Sequence, residues 1–148
     1  MNNSPRNSLE YSNSQLEQFS DDSLLEVLPE KNEEDNATKY VLIKHDYYST
    51  DSEHGRKLLS GFFTSLANSS FNSIVIYLID KGVKLLDDTN PLHEDFTELI
   101  GKTEILIACE DSINAYDITV PDNLVFTKQS LFSMTEEIIY LPDYLVLE

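Results

Sequence analysis

The stretch "SIVIYLID", residues 73–80, limits the fold more than any other part of the chain. Its apolar side chains occupy successive positions, so both faces of an extended segment would be apolar. A strand of that kind needs cover above and below, which is the situation of a central strand in a parallel sheet flanked by helices. The segments around it carry the matching helical periods.

Upstream, "YVLIKH" is a short apolar, β-branched run that reads as a first strand. "TDSEHGRKLLSGFFTSLA" then places Thr50 and Glu53 in capping-box spacing, followed by Leu58, Leu59, Phe62, Phe63 and Leu66 at helical intervals. After the second strand, Gly82 in "DKGVKLLDD" suits a tight turn. "NPLHEDFTELIG" reads as a helix opened by Asn90 and Pro91 and ended by Gly101. "TEILIA" is a third strand, a helical turn follows Cys109, and "NLVFT" is expected as a fourth strand. "SLFSMTEEIIYL" gives a last helix stopped before Pro142, and "DYLVLE" a fifth strand. Strands alternating with helical crossovers predict a three-layer α/β/α sandwich on a mainly parallel five-stranded sheet.

Residues 37–148 carry this pattern. Residues 1–36 hold nine acids against Arg6 and Lys31, with many Asn and Ser, and read as an acidic disordered tail. Within it, Ser20, Asp21 and Asp22 precede Leu24, Leu25 and Leu28, a pattern for a short helix at 20–28 that Pro29 stops.

Charge excludes several functions. With 10 Lys and Arg against 27 Asp and Glu, the net charge is −17. Nucleic acid requires clustered bases, so it is not an expected partner, and an anionic membrane surface is disfavoured for the same reason. No apolar run approaches the ~18 residues of a membrane span. A single cysteine cannot form an internal disulfide, and the N-terminus lacks the apolar core of a signal peptide, so a cytoplasmic location is expected. His45, His54, His93 and Cys109 show no metal-ligand spacing, "DKGVKLL" lacks the repeated glycines of a phosphate loop, and no cofactor is expected.

In open parallel sheets the functional crevice lies beyond the carboxyl ends of the strands. Here that rule selects "HDYYSTDSEHG", "DKGVKLLDD" and "CEDSINAY". Read within "DSEHGRKLLSGFFTSL", "IVIYLIDKGVKLL" and "GKTEILIACEDSINAYDI", and with the closing "SLFSMTEEIIYLPDYLVL", these loops resemble the DsrE/DsrF-like sulfur-relay family. The closer likeness is to the C-terminal domain of YedF-type sulfurtransferase-like proteins associated with selenium metabolism, and it covers roughly residues 39–148. The resemblance implies homo-oligomers, a partner protein that donates or accepts sulfur, and a cysteine that carries sulfane sulfur as a persulfide. On this chain that cysteine is Cys109. The family's common Cys-Gly-Thr-Cys motif reads here as Cys109, Glu110, Asp111 and Ser112, so one thiol is kept and the second is a serine. Residues 1–36 contain no cysteine, so the carrier module with a Cys-Pro-x-Pro motif that accompanies such domains has no counterpart there.

A sulfur carrier works as a thiolate, and a free thiol is mostly protonated near neutral pH. A strand-to-helix junction faces unpaired backbone N–H groups, which favour an anion by about 0.3–1 kcal/mol and at most ~2. Lys84 would add positive charge, Ser112 a hydroxyl donor, and His45 a general base at the end of the first strand. Against these, a carboxylate about 6 Å away opposes a thiolate by ~2.8 kcal/mol at an effective dielectric constant near 20, and by ~0.7 in bulk water. Glu110 and Asp111 follow Cys109 directly, so sequence leaves both signs open. Buried cysteines usually act as small hydrophobes. The leading function is therefore a sulfur carrier with Cys109 as acceptor, and its rival is a non-catalytic oligomerisation or partner-binding module on the same fold. A small-molecule pocket at the strand ends is a third.

Overall fold

The computed structural model describes residues 37–148. The helix expected at 20–28 lies outside them. Five strands form one sheet in the order β4-β3-β2-β1-β5. They are β1 (Thr38–Ile43), β2 (Ser73–Leu78), β3 (Ile105–Cys109), β4 (Thr127–Gln129) and β5 (Leu145–Leu147). Every neighbouring pair is parallel. The intervening helices are α1 (Glu53–Ala67), a 3-10 helix over Asp80–Leu86, α2 (His93–Ile100), α3 (Glu110–Ala115) and α4 (Leu131–Ile139).

The layer arrangement follows from handedness. From β1 to β4 the chain steps across the sheet in one direction, and right-handed crossovers put their helices on one face. The step from β4 to β5 returns past β1, so its helix must lie on the other face. Packing agrees with this. Leu59, Phe63, Val83, Leu86, Phe96, Leu99 and Ile113 pack with Val41, Ile43, Ile76, Leu78, Leu106 and Ala108 in one large core. Met134 and Ile138 of α4 pack with Val75, Tyr77, Ile107 and Cys109 in a smaller one. As expected for a central strand, β2 is buried along Ile74–Leu78.

Several local expectations move. The α1 cap is Ser52 rather than Thr50: its hydroxyl accepts from the Gly55 N–H at 3.0 Å, while Thr50 pairs with Ser52 through their hydroxyls at 2.9 Å. α2 begins at His93, because the Asn90 side chain accepts from the Leu92 N–H at 2.8 Å and closes a turn first. The fourth strand is Thr127–Gln129 and not "NLVFT". Leu124 and Phe126 turn inward to cover the large core, and Val125 is 86 % exposed. A short edge strand carrying Lys128 remains, a form that resists pairing with other chains.

Gly82 sits in the buried 3-10 helix and not in an open turn. No glycine among the described residues has positive φ. What Gly82 supplies is close approach: a Cβ there would collide with the carbonyl oxygen of Ile43, while its N–H donates to Lys44 O at 3.1 Å. Gly82→Ala is therefore expected to cost about 1–3 kcal/mol, the range for forced overpacking. Urea melts would check it, and a loss below ~0.5 kcal/mol would mean that the segment yields.

Candidate functional site

The three selected connections do meet at the carboxyl edge of the sheet. Among the described residues three non-glycine residues take positive φ, Ser49 at 74°, Asp80 at 54° and Asp117 at 53°. Ser49 and Asp80 lie in the connections that leave the carboxyl ends of β1 and β2, and Asp117 follows Tyr116 at the end of α3. Such backbone costs about 1–3 kcal/mol per residue and persists only where surrounding contacts enforce it.

At Asp80 those contacts are explicit. Its backbone N–H donates to Ser112 Oγ at 2.9 Å, and its carboxylate accepts from the Tyr116 hydroxyl at 2.6 Å. That hydrogen bond pushes the Tyr116 phenol above its ordinary pKa, since losing the proton would leave two anions in contact. Lys84 Nζ lies 5.1 Å from the centre of the Tyr116 ring, a cation–π distance. The loop after β2 is thus fastened to the end of α3.

Beside this tie is an open cavity of about 340 Å³ lined by Lys84, Asp87, Thr89, Asn90, Tyr116 and Ile118, with Pro91 at its edge. Asn90 Nδ2 donates to Asp46 Oδ2 at 3.0 Å and brings in the first loop. Asp87 accepts from the Thr89 N–H at 3.0 Å and from its hydroxyl at 2.8 Å, which holds its carboxyl below the ordinary range.

Cys109 lies elsewhere. Along β3 side chains alternate, so Leu106 and Ala108 enter the large core while Ile107 and Cys109 face α4. Cys109 is 0 % exposed and belongs to the cluster of Val75, Tyr77, Ile107, Met134 and Ile138. It occupies the N-cap position of α3 without a side-chain capping bond. Lys84 belongs to the 3-10 helix on the opposite face, where its neighbours Val83 and Leu85 enter the large core. Ser112 is bonded to Asp80 N. His45 follows β1, with β2 between it and β3, so the two strand axes are about 10 Å apart. Its ring stacks on Tyr47 at 4.7 Å, and its Nδ1 is buried without a partner among the described residues.

Ser112 and Lys84 therefore meet around Asp80 and Tyr116, while the Cys109 side chain enters the small core under α4 and the His45 ring stacks on Tyr47. Sequence reading missed Tyr116 and Asp80 as a pair, although both stood in the selected loops. It read Asp111 as an acid opposing a thiolate and missed its partner: the Asp111 carboxylate accepts from the Leu131 N–H at 3.1 Å. Together with Ser130, which accepts from Ser133 N–H at 3.2 Å, Asp111 caps α4. Among the described residues no group of His, Cys, Asp and Glu is arranged to hold a metal ion, and no helix is long and apolar enough to cross a membrane.

The all-parallel sheet, covered by α1–α3 on one face and α4 on the other, defines a protein of the α/β class with a three-layer α/β/α sandwich. The same fold occurs in a conserved protein of unknown function, BT1422 from Bacteroides thetaiotaomicron. The two are 18% identical with a TM-score of 0.53, over 74% of this chain and 95% of that one, a likeness of fold alone. No protein-family model and no curated protein matches the chain.

Proposed function

We propose that the chain is a cytoplasmic, non-catalytic DsrE-like module that works by binding a protein partner. The observation that carries this reading is the complete burial of Cys109 beneath α4. A sulfur acceptor must admit a donor's sulfur, hold an extra atom and release it to a second protein. A thiol enclosed by Tyr77, Met134 and Ile138 has no such access without displacement of α4. In this setting Cys109 acts as a small hydrophobe. The carboxyl-edge residues bond to one another, and the tie among Asp80, Ser112, Tyr116 and Lys84 fixes the loops in place.

One observation favours the sulfur-carrier reading: Cys109 stands at the carboxyl end of β3 and at the start of α3, where the fold family's resemblance puts an acceptor. A single experiment separates the two. The native protein and Cys109→Ser are treated with a polysulfide donor and weighed by mass spectrometry, and native alkylation at pH 8 is timed against alkylation in urea. The module reading expects no added sulfur and alkylation roughly 100-fold slower or more in the native state, as for a group reached only through an opening of about 3 kcal/mol. Stoichiometric loading of the native protein that Cys109→Ser abolishes would sink it in favour of the carrier.

A further inference from the structure

The partner-binding reading raises the question of where a partner would sit, and α4 supplies a surface. Met134 and Ile138 point to the sheet and are buried. On the other side of the same helix Phe132 is 75 % exposed and Ile139 71 %, with Tyr140 at 80 % just beyond its end. Positions 132 and 139 are seven apart, two turns along one face of the helix. A helix apolar on both sides is ordinarily covered on both. Between these side chains runs a groove of about 270 Å³ lined by Phe132, Thr135, Glu136, Ile139 and Tyr140.

Charge selects the occupant. From Gln129 to Glu148 there is no Lys or Arg, against Glu136, Glu137, Asp143 and Glu148. Glu148 is taken up by Lys44 and Glu137 by Tyr77 and Gln129, while Glu136 at the groove has no ion pair among the described residues. Over residues 37–148, 18 acids face 8 bases. A second copy placed face to face would bring two surfaces of the same net negative charge together, each with Glu136 at its groove, and like-charge juxtaposition weighs against that pairing.

We propose that the outer face of α4 docks a cationic amphipathic helix of another protein, one that places apolar side chains at i, i+3/i+4 and i+7 against Phe132, Ile139 and Tyr140, with Lys or Arg beside Glu136. This is helix-in-groove recognition, in which apolar anchors supply affinity and the charged rim supplies orientation and encounter rate. The inference rests on the partner-binding reading but is tested separately from it.

The probe is a labelled Leu/Lys helical peptide of about 14 residues with leucines at that spacing, beside a Leu/Glu peptide of the same pattern. Binding is read by fluorescence anisotropy with the full chain, at ~0.05 M and ~0.3 M salt. The Leu/Lys peptide is expected to bind at least ~10-fold more tightly than the Leu/Glu peptide, with the preference shrinking at high salt. Phe132→Ser together with Ile139→Ser should weaken it by about 10-fold or more. Both positions are exposed, and an unchanged thermal transition would certify that the variant folds. Equal binding to the folded double variant would overturn the proposal, since attraction by net charge alone would then suffice. Sedimentation showing a dimer that the same substitutions dissociate would assign the face to a second copy instead. Sulfur loading on Cys109 would remove the non-catalytic reading while leaving a positive peptide result in place. Absence of both loading and peptide binding would sink the docking face alone.

Discussion

Phe96→Ala is expected to destabilise the domain by about 3–5 kcal/mol, read as the shift of a urea unfolding midpoint at constant slope. Phe96 on α2 is 0 % exposed, and its ring centre lies 5.4 Å from that of Phe63 on α1, with the planes inclined at 50°. Tilted pairs at this distance contribute about 0.5–1.5 kcal/mol beyond the area they bury. The larger share is a cavity that α1 and α2 cannot collapse to fill, because β1 and β2 hold the floor beneath them. Domains of this size have about 5–15 kcal/mol in total, so the variant stands near the threshold of folding. Phe63→Ala should cost a similar amount. The double variant should cost less than the sum by about 0.5–1.5 kcal/mol, the coupling carried by the ring pair. Strict additivity would mean that the rings serve only as volume.

How much of this was legible in the sequence differs between the sheet and the site. The central strand declared itself because Ile74–Leu78 is apolar without alternation, and only a strand covered on both sides tolerates that. The helices on the larger face were equally legible, since Phe63 and Leu66 recur at 3.6-residue spacing against a fixed floor. The fourth strand was not. "NLVFT" has the β-branched and aromatic character of a strand, yet Leu124 and Phe126 serve as a lid on the core, and hydrogen bonding falls to Thr127–Gln129. Apolar content marks burial, and burial does not distinguish a strand from a covering loop.

The site shows the same limit in another form. Position along the chain indicated that Cys109 ends β3 at the crevice side, and it does. Which face its side chain takes depends on register. Because alternation has a period of two, Ala108 enters the large core and Cys109 the small one, under α4. Lys84 and Cys109 come from adjacent strand ends and yet lie in different layers. Likewise Asp111, read as a carboxylate that opposes a thiolate, is engaged by the N–H of Leu131, 20 residues on. Long-range partners of this kind leave no periodic trace.

The second large effect is an alkaline loss of stability carried by Tyr77. Its ring is 1 % exposed in the small core, and its hydroxyl donates to Glu137 Oε2 at 3.0 Å. Burial first, and then the hydrogen bond to the Glu137 carboxylate, push this phenol well above the ordinary tyrosine value of 10.0. In the unfolded chain Tyr77 titrates near that ordinary value. Above about pH 10 the unfolded state therefore holds fewer protons than the folded one, and linkage makes stability fall as pH rises. The contribution is fully present below pH 10 and is lost at up to ~1.4 kcal/mol per pH unit until the folded phenol itself ionises. By pH 12 that amounts to at most about 2.7 kcal/mol. The measurement is a difference between native protein and Tyr77→Phe, which isolates this one phenol. The variant should be less stable at pH 8 by about 1–2 kcal/mol, because Glu137 loses a donor. Its urea midpoint should then decline less steeply above pH 10, until the two curves approach or cross. Parallel curves from pH 8 to pH 12 would show that Tyr77 ionises as readily in the folded state as in the unfolded one. In that case α4 would have to lift from the sheet without unfolding, and the enclosure that argues against sulfur chemistry at Cys109 would fail with it.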